Sequence, residues 1–205
     1  MQTPRPGAPV LQHRRRILLA LPLLPLGLGV SACRDKGVLS FNAPDITGAQ
    51  YGRDFELKDS SGKQRTMADF KGKAVMLFFG FTQCPDVCPS ALIRAADVKK
   101  LLGDKGSQLQ VLFMTVDPER DTPPVLEQYT KAFDPSFIGL YGDLKETSST
   151  AREFKVFYMK VPTGGSYTMD HTAISYVFDP QGRLRLAVSH TMTADKVAED
   201  VRKLL

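Results

Sequence analysis

The sequence predicts an α/β fold whose central β-sheet has both parallel and antiparallel strands. Two continuous apolar runs, at 74–79 and 111–116, are typical of strands buried on both faces of a sheet. Between them, residues 89–102 place apolar side chains three, three and four positions apart, which is one face of a helix: Leu92, Ala95, Val98 and Leu102. A strand–helix–strand unit followed by a later hairpin and a closing helix predicts mixed pairing.

The other elements follow from turn residues and hydrophobic spacing. Residues 55–57 and 64–66 flank the turn Ser60-Ser61-Gly62, which predicts an N-terminal β-hairpin extension of the sheet. The remaining expectations, in chain order, are a loop at 117–123, a helix at 124–133, a strand at 137–141, a helix at 144–154, a strand at 158–161, a strand at 172–178, a turn at 179–182, a strand at 184–188 and a helix at 194–205.

The N-terminus is typical of an export signal. Residues 1–16 carry four arginines and no acidic residue, and the apolar run at 17–30 is shorter than the roughly 20 residues that span a membrane. The sequence Val30-Ser31-Ala32-Cys33 resembles a bacterial lipobox, which implies a lipid on Cys33; an ordinary signal or an uncleaved anchor is the alternative. We therefore expect a lipoprotein signal peptide at 1–32, a membrane tether at 33–50 and a domain at 51–205, lipid-anchored to a bacterial cell membrane and facing the periplasm.

The net charge comes mainly from this N-terminal segment. The chain of 205 residues has 27 Lys and Arg against 22 Asp and Glu, and residues 1–32 contain four of the arginines. The remainder is almost neutral, with 23 basic against 22 acidic residues. Nucleic-acid binding needs a clustered basic face, so no nucleic-acid partner is predicted.

Cys84 and Cys88 form the most informative motif, in the string FTQCPDVCP after the first buried strand. A disulfide across three residues closes a very small loop and removes little entropy from the unfolded chain, so a structural disulfide is disfavoured. The start of a helix lowers the pKa of a nearby thiol; both cysteines can benefit, and Cys88, expected at or near the N-cap, should benefit more directly. Thiolates are both nucleophiles and metal ligands, so the position of the pair is compatible with thiol exchange and with metal binding.

His171 is the histidine best placed to join the pair. His13 lies in the predicted signal, and His190 is expected at the surface where an edge strand ends. His171 precedes the strand predicted at 172–178, in a loop expected to face the cysteine loop. Two thiolates and one imidazole suit Cu(I), and a fourth ligand would allow Cu(II). A histidine exposed at a strand edge is the alternative interpretation.

Three motifs in this order, FTQCPDVCP, DPERDTP at 117–123 and DHT at 170–172, resemble the Sco/SenC family from about residue 41 to residue 205. The resemblance implies a thioredoxin-like three-layer sandwich that binds one copper ion, Cu(I) or Cu(II), through Cys84, Cys88 and His171. It also implies a role in assembling the dinuclear copper site of cytochrome c oxidase. The implied partners are the copper-bearing subunit of the oxidase and, as candidates, other periplasmic copper chaperones or thiol reductases. Many members keep a transmembrane helix at the N-terminus, and this chain departs from that pattern.

A thiol–disulfide oxidoreductase is the rival interpretation. It would keep the copper-site cysteines of the oxidase reduced, with Cys84 and Cys88 as its redox pair and no need for His171. A general reductase is disfavoured for two reasons. The cysteine spacing is CxxxC and not CxxC, and the cis-proline that a thioredoxin would have before the strand predicted at 172–178 is missing. A peroxidase of the peroxiredoxin kind is also disfavoured. Such enzymes have threonine three residues before the cysteine, and this chain has Phe81 there. Whether the protein is an enzyme stays open, with a metallochaperone favoured.

Overall fold

The structure is a computed structural model that describes residues 39–205. This part of the chain contains nine strands and four α-helices, with two short 3-10 helices at Met67–Phe70 and Gly103–Gln108. The elements are β1 (Leu57–Asp59), β2 (Gln64–Arg65), β3 (Ala74–Gly80), α1 (Val87–Leu101), β4 (Leu109–Thr115), α2 (Pro123–Lys131), β5 (Ile138–Tyr141), α3 (Leu144–Glu153), β6 (Tyr158–Thr163), β7 (Ser166–His171), β8 (Ile174–Phe178), β9 (Leu184–Ser189) and α4 (Ala194–Leu204). Within residues 39–205, no helix has the length and apolar character needed to cross a membrane.

Seven strands form one mixed sheet in the order β2-β1-β5-β4-β3-β8-β9. Strands β3, β4 and β5 pair in parallel, and β1, β8 and β9 extend the sheet with antiparallel pairings. The predicted mixed sheet with an N-terminal hairpin, here β1–β2, is therefore confirmed. All residues of β3 and β4 are buried, as their continuous apolar sequences predict.

Side chains on the two faces of β3 pack against different helices. Phe78 packs against Phe113 of β4 with ring centroids 6.2 Å apart, and Phe113 in turn contacts Tyr129 of α2. On the opposite face, Phe79 packs against Phe154 at the end of α3, with centroids 5.3 Å apart. Helix α1 also packs against α4. Helices thus cover both faces of the sheet, which confirms the predicted thioredoxin-like three-layer sandwich.

The chain before residue 51 contributes to the packed domain. Backbone N–H groups of Asn42 and Ala43 donate to the carboxylate of Asp200 in α4, each at 2.8 Å, and Asp200 is fully buried. Ala43 is itself buried, and Asp45 forms a β-bridge with Leu186 of β9. Part of the segment expected to be a tether therefore packs on α4 and β9, where its backbone N–H groups supply hydrogen bonds to a buried carboxylate.

Strands β6 and β7 form a separate two-stranded sheet, of which the sequence predicted only the first strand. Their connection contains Gly164 and Gly165, both with positive φ (46° and 126°). Two adjacent glycines between strands are typical of a hairpin turn and indicate the second strand. His171, expected in a loop, is the last residue of β7. We call β6 and β7 together the histidine hairpin.

Candidate metal centre

Three side chains converge at one end of the sheet. The sulfur atoms of Cys84 and Cys88 and a ring nitrogen of His171 all lie within 4.8 Å of one another. Cys84 comes from the loop after β3, Cys88 from the first turn of α1 and His171 from the end of β7. Two metal–sulfur bonds of about 2.3 Å span about 4.6 Å, so the three atoms can share one ion after a small adjustment. The structure thus brings together all three residues that the sequence predicted as ligands.

The helix start fixes the relation between the two cysteines. Helix α1 begins at Val87 with Asp86 as its N-cap, so Cys88 lies in the first turn, near the N-cap as expected, and Cys84 lies in the loop before it. The backbone N–H of Cys88 donates to the sulfur of Cys84 at 3.4 Å. Cys88 is fully buried and Cys84 is partly exposed. Pro89 is tolerated there because N–H groups in the first turn have no partner within the helix.

The two thiols have opposite pKa shifts. The pKa of Cys84 is lowered, because its sulfur accepts a hydrogen bond from the Cys88 thiol and further bonds from backbone N–H groups. The pKa of Cys88 is raised, because it donates that bond to Cys84 and because it is buried. The expectation that Cys88 would benefit more from the helix start is therefore wrong. The N–H groups that favour a thiolate point at the partly exposed Cys84.

The histidine ring presents one nitrogen to the cysteines. Its Nδ1 lies 3.2 Å from the carbonyl oxygen of Thr172, which can only accept, so Nδ1 carries the proton. Nε2 then holds a lone pair and lies 3.5 Å from the sulfur of Cys88. The ring packs edge-on between Phe78 and Phe81, each with its centroid 5.9 Å away. This backbone bond and these two rings orient the imidazole as a ligand before any ion arrives.

A buried carboxylate anchors the cysteine loop to the sheet. Asp121 accepts hydrogen bonds from the backbone N–H (3.0 Å) and the hydroxyl (2.6 Å) of Thr82, and from the hydroxyl of Thr115 at 2.5 Å. Burial raises the pKa of Asp121. Thr122 is the N-cap of α2, so Asp121 does not cap that helix. The side chain of Asp121 instead holds the loop that carries Cys84.

Neither Asp86 nor His190 belongs to the group of three converging side chains. Asp86, between the cysteines, is exposed and its carboxylate lies 3.4 Å from the hydroxyl of Ser90. His190 is exposed after β9, as predicted, and its carbonyl oxygen accepts from Arg94. Cys33 falls outside the described residues, so lipid attachment there stays a prediction.

Gly80 leaves the space that the sulfur of Cys88 occupies. A Cβ atom at this position would lie 2.9 Å from that sulfur and 2.8 Å from a ring carbon of Phe113. Real contacts of this kind do not occur at such distances, so one of the two side chains would have to move. The absence of a side chain at Gly80 is thus part of the geometry of the site.

We expect Gly80→Ala to displace Cys88, to weaken metal binding and to lower the free energy of unfolding by about 1–3 kcal/mol through overpacking. Gly139→Ala is the matched control, because its Cβ would press on Leu126 in the same core, away from the cysteines. Urea unfolding and metal titration of both variants test this. Equal metal affinities in the two variants would show that Gly80 has only a packing role.

A family model described as SCO1/SenC matches residues 43–205, which is most of the chain. This chain belongs to the SCO1/SenC family. The match contains all three predicted ligand residues and confirms the resemblance identified from the cysteine, DPERDTP and DHT motifs.

Curated relatives and solved structures agree with this assignment. The protein SCO2 homolog, mitochondrial, of Bos taurus is 34% identical over 211 residues, covering 98% of this chain and 79% of the relative. The structure of Bradyrhizobium japonicum ScoI with copper bound is 40% identical, covers 77% of this chain and 100% of that chain, and superposes with a TM-score of 0.70. BsSco, described as a member of the Sco family of cytochrome c oxidase assembly proteins, shares the fold at 23% identity, with a TM-score of 0.61 and 78% and 95% of the two chains covered.

The predicted location of the protein is wrong by this comparison. Curated relatives from Bos taurus, Danio rerio, Arabidopsis thaliana and Homo sapiens are named mitochondrial proteins, which does not fit a lipid-anchored domain on a bacterial cell membrane. The prediction depended on the lipobox-like sequence before Cys33, a short pattern that occurs outside the matched residues 43–205. The relatives also include bacterial proteins such as ScoI, so proteins of this family occur in bacteria as well as in mitochondria.

Proposed function

We propose that this protein binds one copper ion through Cys84, Cys88 and His171 and delivers it to the dinuclear copper site of cytochrome c oxidase during assembly. The observation that carries the proposal is the convergence of two sulfur atoms and one imidazole nitrogen within 4.8 Å. Support comes from the copper-bound ScoI structure, at 40% identity, and from the description of BsSco as a member of a family of oxidase assembly proteins.

The donor set favours copper over harder metals. Thiolate sulfur is a soft ligand that suits Cu(I), and imidazole suits copper in both oxidation states, whereas Mg²⁺ and Ca²⁺ prefer oxygen. The lowered pKa of Cys84 favours its thiolate, which is the metal-binding form, and the contact of Nδ1 with the Thr172 carbonyl turns Nε2 of His171 toward the cysteines. The chemistry of the site therefore fits copper as the cargo of the protein.

The exposure of the ligands suits transfer as well as binding. Cys88 is fully buried, whereas Cys84 and His171 are partly exposed. Ligands of a recipient can thus approach from the side of Cys84 and His171, while Cys88 still holds the ion from below. We infer that the copper-bearing subunit of the oxidase is the recipient and that the protein acts as a metallochaperone, with no bond of a substrate made or broken.

A thiol–disulfide oxidoreductase is the second candidate, favoured by one observation. The pKa of Cys84 is lowered and its sulfur is partly exposed, which are the properties of an attacking thiolate. In that function the Cys84 thiolate attacks a partner disulfide, and Cys88 then displaces the partner sulfur. Two partner thiols are released and a Cys84–Cys88 disulfide forms, so His171 has no role.

We expect the full chain, with Cys33 replaced by serine, to bind one Cu(I) per molecule when its cysteines are reduced. The Cys84–Cys88 disulfide form should bind none, because a disulfide offers no thiolate to the metal. Competition against a Cu(I) chelator, followed by metal and protein analysis, measures both values. Reduction of the same disulfide sample should restore one equivalent. Zero or two equivalents in the reduced protein would contradict the proposed site.

A further inference from the structure

The histidine hairpin, which carries one of the three proposed ligands, is joined to the domain mainly through side chains such as the buried Met169. Within residues 39–205, β6 and β7 pair only with each other and with no strand of the seven-stranded sheet. A backbone bond from Thr172 to Phe157 closes the base of the hairpin at 3.0 Å. The position of His171 relative to the cysteines therefore depends on side-chain contacts between the hairpin and the rest of the domain.

Among these side chains, Tyr167 makes polar contacts with the loop after β4. Its hydroxyl donates to the carboxylate of Asp117 at 2.9 Å. The guanidinium of Arg120 lies 3.7 Å from the centre of the Tyr167 ring, in a cation–π arrangement, and also donates to the Tyr167 carbonyl oxygen at 2.8 Å. We call Asp117, Arg120 and Tyr167 the latch.

The same guanidinium reaches the cysteine loop. Arg120 donates to the side-chain oxygen of Gln83 at 3.1 Å, and Gln83 directly precedes Cys84. Arg120 also pairs with Asp117, which is fully buried and so gives the latch a fixed base in the domain. One arginine thus connects the segment that carries His171 with the segment that carries Cys84.

We propose that Tyr167 is a positioning residue: it locks the histidine hairpin to the cysteine loop through Asp117 and Arg120, and so holds His171 within reach of the ion that Cys84 and Cys88 bind. The proposal rests on the copper site of the proposed function and adds what controls retention of the ion at that site. Tyr167 acts through the hairpin and does not itself touch the ion. Loss of the latch should leave the cysteines in place and make the histidine ligand intermittent.

A neighbouring ion pair gives a matched control. Lys160 of β6 pairs with Glu119, so it also joins the hairpin to the loop after β4. Both side chains are about half exposed (46% and 47%), and such surface pairs contribute little to stability. Glu119→Gln therefore removes a contact across the same interface and leaves the latch itself intact.

The test measures the rate of copper release from the full chain. The parent carries Cys33→Ser, and each variant adds one further change: Tyr167→Leu, Tyr167→Phe, Glu119→Gln or His171→Ala. We expect Tyr167→Leu to accelerate release to a chelator about tenfold and to shift the Cu(II) absorption and paramagnetic resonance spectra toward those of His171→Ala. Tyr167→Phe, which keeps the ring and loses only the bond to Asp117, should have an intermediate effect. Glu119→Gln should stay within about twofold of the parent.

The decisive variant combines Tyr167→Leu with His171→Ala. If the latch acts through His171, the double variant should release copper no faster than His171→Ala alone, whereas an unrelated packing defect would add to it. Release at the parental rate from Tyr167→Leu, or from Tyr167→Phe if the leucine variant does not fold, would overturn the latch while leaving the ligand set intact. Unchanged release from His171→Ala would overturn both the latch and the proposed ligand set.

Discussion

We expect Cys84→Ser and Cys88→Ser each to abolish tight copper binding, with a loss of affinity of more than about a hundredfold. A hydroxyl is a hard, largely protonated ligand, and it cannot replace the soft thiolate that favours Cu(I). The structure adds that the two sulfurs are not independent: Cys84 accepts a hydrogen bond from the thiol of Cys88, and both lie close to the same imidazole nitrogen. Removal of either sulfur leaves two donors where three are needed.

The two cysteine variants should differ in stability although they share the loss of copper. Cys88 is fully buried beside Gly80 and Phe113, so the smaller side chain of Cys88→Ser leaves a packing gap and should lower the free energy of unfolding. Cys84 is partly exposed, so Cys84→Ser should unfold almost like the parent. Ser90→Ala is the control for both, because Ser90 is exposed on α1 two residues after Cys88. Chelator competition and urea unfolding give the two measurements, and parental copper affinity in either variant would contradict the shared site.

The order of elements could be predicted because the buried strands and amphipathic helices have distinct hydrophobic periods. The apolar run at 74–79 became β3, and that at 111–116 overlaps β4, because strands buried on both faces need no polar alternation. The histidine hairpin was only half predicted. Residues of β7 are mostly polar or partly exposed, so its sequence lacks the apolar signal that identified the central strands.

The candidate site could be predicted only as far as its ligand residues. Cys84, Cys88 and His171 follow from motifs, but no sequence pattern gives the direction of a hydrogen bond, so the assignment of the lower thiol pKa to Cys88 was wrong. The residues that support the ligands were also missed. Phe81 packs on His171 although the two residues are far apart in the chain and share no sequence pattern. Tyr167 meets Arg120 only because the chain folds back over 47 residues.

His171→Ala should separate copper delivery from thiol reduction. The imidazole is the third donor for copper, while thiol exchange needs only Cys84 and Cys88. The variant should therefore lose copper affinity by about 10–100-fold, with Cu(II) affected most because imidazole suits that ion better than two thiolates alone. It should still form and exchange the Cys84–Cys88 disulfide, since the Cys88 thiol and the backbone N–H groups that lower the pKa of Cys84 remain in the variant.

In cells that make the oxidase at limiting copper, the two candidate functions give opposite results for this variant. If copper delivery is the function, His171→Ala should lose oxidase activity almost as fully as Cys84→Ser, and added copper should restore it only in part. If thiol reduction is the function, His171→Ala should behave like the parent while Cys84→Ser fails. Phe157→Ala controls for general damage near the site, because Phe157 is an exposed side chain at the base of the histidine hairpin. We expect the first result, and parental oxidase activity in His171→Ala would favour the reductase instead.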